Sequence, residues 1–281
     1  MVIKNWNHGW KWITERRNQK DMGKKHQEFI SDSWEELKRF TDARIAMGRA
    51  GVSIPTAKLL SFQLAHAKAR DSIYRELDCE SLKKSLKQIK LDSILLNSNA
   101  NNKITYLKNP ELGRSLDEPS KKELKKLKIS KPELSIILAD GLSARAVEEN
   151  SIPFIKELIS ILPKDWKLSP ISIVTGGRVA VGDEVGEILK SKFSLILIGE
   201  RPGLSSPNSL GAYLTINPRK GRKDSERNCI SNIRPEGLSH KNAAKKAAYL
   251  LKKALELGLT GVNLKDDMEN LLDSPKVKYL S

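Results

Sequence analysis

Three short runs in the second half of the sequence set glycine beside a charged side chain: Asp140-Gly141, Gly176-Gly177-Arg178 and Gly199-Glu200-Arg201. Glycine lets a backbone approach a ligand closely, and a carboxylate or guanidinium beside it can fix an amide or an oxyanion. Such a set can hold a ligand more readily than it can break a bond. None of His8, His26, His66 and His240 stands in a recognisable nucleophile motif with serine or cysteine. Nor are the carboxylates paired over one helical turn, as metal and acid–base sites often require. Cys79 and Cys229 lie far apart with no C-x-x-C or histidine-paired spacing, so neither a zinc site nor a disulfide framework is expected. The sequence has no G-x-G-x-x-G followed by an acidic residue at the ribose distance and no G-x-x-x-x-G-K-[ST], which disfavours simple nucleotide chemistry. The pattern predicts a holder of something that does the chemistry.

Each glycine-bearing run follows a short apolar stretch. Residues 134–139, 171–175 and 195–198, with 213–216 as a fourth, are rich in Ile, Leu and Val and apolar on both faces, as buried parallel strands are. Helical stretches intervene at 153–162, with Pro153 in the first turn and Pro163 at the end, and at 241–257. The second carries the stripe Ala244, Ala247, Ala248, Leu251 and Leu255, with Ser239 as cap and Gly258 as stop. This alternation predicts an α/β fold with a mainly parallel, Rossmann-like sheet flanked by helices. In such a sheet the carboxyl ends of the strands share one edge, where ligands bind, so the three glycine-bearing tips are expected to line one crevice.

A smaller, mainly helical N-terminal region is expected over residues 33–131. A helix starts near Ser33, a second covers 55–77 with Thr56 as cap, and a short strand candidate lies at 104–107. Residues 132–265 form the expected α/β cofactor-binding domain. Residues 1–32, with Trp6, Trp10 and Trp12 among Lys4, Lys11, Arg16 and Arg17, read as a poorly ordered basic tail, and 266–281 as a C-terminal tail.

The net charge of +16 would attract polyanions. The surplus is mostly lysine spread over helices that also carry Glu and Asp, and only 5% of residues are aromatic, leaving few platforms for stacking bases. Nucleic acid is therefore not an expected partner, and a basic face that docks on an acidic subunit explains the charge as well. The basic loop 217–223 could reach a cofactor phosphate or a partner. No stretch approaches the roughly 20 apolar residues of a membrane span, and the start lacks a secretory pattern. A soluble, intracellular protein is expected.

Several longer motifs carry a family resemblance: ADGLSARAVEEN at 139–150, GRVAVGDEVGEIL at 177–189, LILIGERPGL at 195–204 and RNCISNI at 227–233, with ARIAMGRAG at 43–51 and YLKNPELGRSL at 106–116 upstream. In this order they resemble the small subunit of ethanolamine ammonia-lyase over roughly residues 33–264. The resemblance implies adenosylcobalamin held between this chain and a large barrel subunit. The large subunit binds ethanolamine and carries the radical conversion to acetaldehyde and ammonia, so no catalytic residue is expected here and the chain is not expected to be active alone. It also implies cofactor contacts at Val179, Glu200 and Cys229. Glu200 could accept hydrogen bonds from the amides that fringe a corrin ring, or pair with Arg178 or Arg201. Val179 would offer apolar contact and a backbone polar group, and Cys229 would act as a small apolar residue. No D-x-H-x-x-G occurs, so this chain supplies no histidine to cobalt and the cofactor is expected to keep its dimethylbenzimidazole. The expected location is the cytoplasm, with the interior of a bacterial microcompartment as the alternative. Against this stands a stand-alone α/β nucleotide-dependent enzyme using the same crevice.

Overall fold

The computed structural model describes residues 29–30, 32–127, 129 and 131–267. The expected basic tail, up to residue 28, and the C-terminal tail, from residue 268, lie outside the described residues. The chain divides into two units, Met1–Phe62 and Gln63–Ser281.

In the first unit β1 (Phe29–Ile30) pairs antiparallel with β2 (Arg49–Ala50). The helix expected from Ser33 is a short 3-10 turn at Glu35–Phe40, with Trp34 instead of a serine at its cap. The division between the units falls inside α1 (Thr56–Tyr74). Its apolar residues Leu59, Leu60, Phe62 and Leu64 remain exposed, because they are spread round the helix and not gathered on one stripe.

The second unit is built on a six-stranded sheet in the order β3-β5-β4-β6-β7-β8. The strands are β3 (Ser93–Asn97), β4 (Leu134–Ala139), β5 (Ile171–Thr175), β6 (Phe193–Gly199), β7 (Leu210–Ile216) and β8 (Asn228–Ile233). Neighbours from β3 through β6 are parallel, whereas β7 and β8 continue the sheet antiparallel. The α/β, mainly parallel reading therefore holds, with two antiparallel strands at one side.

Helices cover both faces. On one, α2 (Cys79–Gln88), α5 (Ala144–Ile161) and α7 (His240–Leu257) pack on Leu134, Ile136, Leu138, Leu195, Leu197, Leu210 and Leu214. On the other, α4 (Glu118–Lys126) and α6 (Val181–Leu189) pack on Ile137, Ala139, Val174, Ile196 and Ile198. Every residue of β4 is buried, which explains its apolar run. Each fully buried aliphatic side chain contributes about 1.5–3 kcal/mol. Helix α7 starts from the Ser239 cap, whose hydroxyl accepts the Asn242 N–H, and stops at Gly258 with φ +70°, as the sequence predicts.

Three expectations change. Residues 104–107 lie in a helix, α3 (Lys103–Lys108), because the Asn102 side chain caps it by accepting the Thr105 N–H at 2.8 Å. Helix α5 begins nine residues before Pro153, at Ala144, from a Ser143 cap, and carries that proline inside it. The stretch before residue 132 supplies β3, an edge strand that pairs in parallel register with β5.

Candidate functional site

The carboxyl ends of β3, β5, β4 and β6 share one edge, and the three glycine-bearing tips meet there. The Leu142 N–H donates to the Gly199 carbonyl at 3.0 Å, and the Gly177 N–H donates to Asp140 Oδ1 at 3.3 Å. Lys103 Nζ donates to Asp140 Oδ2 at 3.0 Å and to the Gly141 carbonyl at 2.9 Å, with both side chains 6% exposed. A Cβ at Gly199 would stand 2.0 Å from the Ser143 carbonyl oxygen and 2.6 Å from that of Asp140, so only glycine lets these tips close together.

The connection after β4 runs over one face of the sheet and that after β5 over the other, so these neighbours form the switch point at which open α/β sheets bind ligands. Here that crevice is small, about 210 Å³, and the Lys103–Asp140 pair stands in it with Asn101 and Gly176. Asp140 is thus committed to tying strand tips.

The face opposite α7 is open along β7 and β8. Leu210, Ala212, Leu214 and Ile216 turn towards α7, and Tyr213 turns to the other side and packs against the α6 cluster. Cys229 lies opposite Tyr213 in register and is exposed, as is Ser231. The Tyr213 hydroxyl donates to the Cys229 sulfur. Desolvation in the packed surroundings pushes the Cys229 thiol up and the Glu200 charge adds to that, against the Tyr213 hydrogen bond. Desolvation also raises Tyr213. Both groups therefore stay protonated at neutral pH.

Glu200 follows the end of β6 and lies beside Gly211, where a Cβ would be 3.1 Å from its Oε1. Its Oε1 accepts the Ser231 hydroxyl at 2.5 Å, and its Oε2 accepts the Ser209 hydroxyl and, at 3.2 Å, the Asn232 N–H. The partners of Glu200 are hydroxyls and a backbone amide, not Arg178 or Arg201. With one bond on Oε1, a lone pair remains for another donor. Val179 is half-buried just before α6 and packs against the same cluster as Tyr213. Its carbonyl accepts the Gly182 N–H at 3.1 Å, while its own N–H has no acceptor among the described residues.

Of the three residues expected to touch a cofactor, Glu200 and Cys229 lie within electrostatic reach of each other around Tyr213, and Val179 shares their side of the sheet. Tyr213, Ser209 and Ser231 were not legible as site residues. Period-two alternation along β7 places Gly211 and Tyr213 on one face and was the signal available. The basic loop is placed elsewhere: Ile216, which precedes it, pairs with Phe193 at the start of β6, so the loop lies at the far end of β7 from Glu200. There Arg222 donates to the Ile216 and Asn217 carbonyls and the Lys220 N–H to Glu187. His240 Nε2 is 2.9 Å from Asn150 Oδ1, and no cluster of metal-binding side chains occurs among the described residues.

The family model for ethanolamine ammonia-lyase light chain (EutC) matches residues 31–265. The chain belongs to this family. It is 49% identical over 240 residues to the ethanolamine ammonia-lyase small subunit of Azotobacter vinelandii, covering 84% of this chain and 89% of the relative. It is equally similar to that of Pseudomonas aeruginosa strain LESB58, over 84% and 88%. With that of Pseudomonas fluorescens strain Pf-5 it is 46% identical over 255 residues, 89% of this chain and 93% of the relative. Membership in the light-chain family implies a large-subunit partner. No helix among the described residues is long and apolar enough to cross a membrane.

Proposed function

We propose that this chain is the small subunit of an adenosylcobalamin-dependent ethanolamine ammonia-lyase and forms one wall of the cofactor site. The large subunit, in this reading, binds ethanolamine and carries the reacting groups, and the assembly works in the cytoplasm or inside a bacterial microcompartment. The observation that supports this most is the open face of β7 and β8, on which Glu200, Cys229 and Tyr213 gather beside Val179.

The residues fit a corrin ring, whose rim carries amides. Each amide has a donor and an acceptor; Glu200 Oε1 keeps a free acceptor site, and the Val179 N–H is a donor without a partner among the described residues. Cys229, held as a neutral thiol, offers a small apolar contact. Adenosylcobalamin, when bound, supplies radical chemistry through its cobalt–carbon bond. This chain's part is to orient the ring by Glu200 and Val179 and to shield one side from water. The sequence carries no D-x-H-x-x-G motif, so in this reading the cofactor keeps its dimethylbenzimidazole on cobalt.

The test is reconstitution with the cognate large subunit. Glu200→Gln should raise the Kd for adenosylcobalamin about 10-fold or more, as loss of a charged hydrogen-bond partner does, while complex assembly is kept. Unchanged cofactor affinity in Glu200→Gln and in Val179→Asp alike would overturn the assignment. Electron paramagnetic resonance of the complex with ¹⁵N-histidine protein should show no protein nitrogen coupled to cobalt.

A further inference from the structure

We propose that Arg178 and Arg201 form an anion site for the phosphodiester of adenosylcobalamin, an inference that rests on the function proposed above. The two guanidiniums come from the tips of β5 and β6 and line one cavity of about 420 Å³ at the ligand edge of the sheet. Neither is paired with a carboxylate among the described residues. Asp140, the acidic side chain at the tip of the intervening strand, is held by Lys103 and so does not cancel their charge. Ile73, Leu107 and Leu142 make the cavity's apolar walls.

Arg178 is built into place. It donates from its side chain to the Tyr106 hydroxyl, and Tyr106 is 1% exposed, with burial pushing its pKa to about 12. The Arg178 backbone N–H donates to the Gly113 carbonyl at 2.7 Å. A Cβ at Gly113 would lie 2.9 Å from both Arg178 Cγ and Tyr106 Cε2 and 2.5 Å from the Gly176 carbonyl oxygen, so the stem of Arg178 is clamped against a residue that has to be glycine.

The chemistry selects the ligand. Two planar guanidiniums lining one cavity match the oxygens of a phosphate better than one carboxylate. Ethanolamine is a cation and would be repelled, so the site does not serve the substrate. Arg178 directly precedes Val179 and Arg201 directly follows Glu200. A ligand whose amides lie on those two residues therefore brings its own anionic arm to the arginines without any second binding event.

The test compares adenosylcobinamide phosphate with adenosylcobinamide, which differ by the phosphate alone, by absorbance titration of the assembled complex. The wild type should bind the phosphate form about 10-fold more tightly. Arg178→Gln and Arg201→Gln should each abolish that preference and raise the Kd for adenosylcobalamin by a similar factor. Arg201 is exposed, so Arg201→Gln keeps its fold and decides the matter if Arg178→Gln does not. A preference absent from the wild type, or retained in Arg201→Gln, overturns the inference while leaving the cofactor wall standing. Failure of the wild-type complex to bind either corrinoid overturns both. Inorganic phosphate titrated into the isolated full chain should not raise its melting temperature; an increase lost in Arg201→Gln would assign the site to free phosphate instead.

Discussion

Arg227→Met should loosen the sheet more than any change at its surface. The Arg227 side chain is 1% exposed and donates through Nε to Asp183 Oδ2 at 3.0 Å and through a second nitrogen to the same oxygen. It also donates to Asp224 at 2.6 Å and to the Arg222 carbonyl at 2.8 Å. Methionine restores most of the stem and none of the donors. Asp183, 3% exposed, would then keep only its hydrogen bond with Thr215. A buried charge stripped of its partner costs about 3–5 kcal/mol. At about 2–4 °C per kcal/mol for a chain of this size, Tm should fall by about 6–20 °C at pH 7.

The pH dependence has a definite sign. Burial already pushes the Asp183 carboxyl above its ordinary value, and the Arg227 guanidinium pulls against that. Without Arg227 the folded-state value rises further, while the unfolded one stays near about 3.9. A carboxyl raised on folding destabilises fully above its folded value, and the penalty fades as pH falls through that value. The gap in Tm between wild type and Arg227→Met, followed by circular dichroism on the full chain from pH 8 to pH 5, should therefore narrow on acidification. Arg227→Met/Asp183→Leu should recover most of the loss, since no lone charge remains. A Tm within about 2 °C of wild type at pH 7, or a gap of constant size across the range, would refute the reasoning. The pair also joins α6, next to Val179, to the start of β8, next to Cys229, so its loss should weaken cofactor affinity before it unfolds the chain.

Gly199→Ala should lower the urea midpoint by the equivalent of about 3 kcal/mol or more, because the new methyl meets backbone at 2.0 Å and no side chain can yield; a midpoint equal to wild type would show that the tips are not closed. Burial, with Asp140 second, pushes the Cys79 thiol to about 11, so at pH 8 only about one molecule in a thousand is thiolate. Iodoacetamide labelling at Cys79, read by mass spectrometry, should therefore be slow and quicken about tenfold per pH unit up to pH 10. Ser231→Ala removes one donor from Glu200 at an exposed position, so Tm should hardly move while the Kd for adenosylcobalamin rises about 10-fold; Ser231→Thr should restore it, and a matching loss of stability would point to a structural role.

The parallel core was legible because β4, β5 and β6 are buried on both faces, and such burial leaves continuous Ile, Leu and Val runs in the sequence. Edge strands leave no such trace. In β8 only Ile230 and Ile233 are buried, and β3 sits in a lysine-rich stretch with one fully buried side chain, so neither run stands out. Ile104, Tyr106 and Leu107 suggested a strand by their β-favouring types, but the Asn102 cap and the buried Tyr106 override that preference. Glu200 was legible as a charged residue at a strand tip. Its partners were not, because Ser209 and Ser231 reach it only through the antiparallel pairing of β7 and β8. Val179 and Cys229 were drawn from the family resemblance, since nothing in their own types marks them.

The groups around the open face share one property that bears on a wall for a reactive cofactor. Glu200 is fixed by two hydroxyls and a backbone N–H, so it is placed to accept a hydrogen bond and poorly placed to take a proton from a moving substrate. Asp140, the other carboxylate at the tips, is spent on Lys103 and Gly177. Cys229 and Tyr213 are coupled to each other and held protonated by burial and by the Glu200 charge. General acid–base catalysis needs a group whose proton moves near neutral pH, and desolvation raises the Cys229 thiol and the Tyr213 phenol away from that range. Arg178 and Arg201, which cannot lose their protons, have no carboxylate partner among the described residues there. In the function proposed above, fixed acceptors, a neutral thiol and phenol, and permanent cations would grip amides and a phosphate while the reaction is left to groups on another chain.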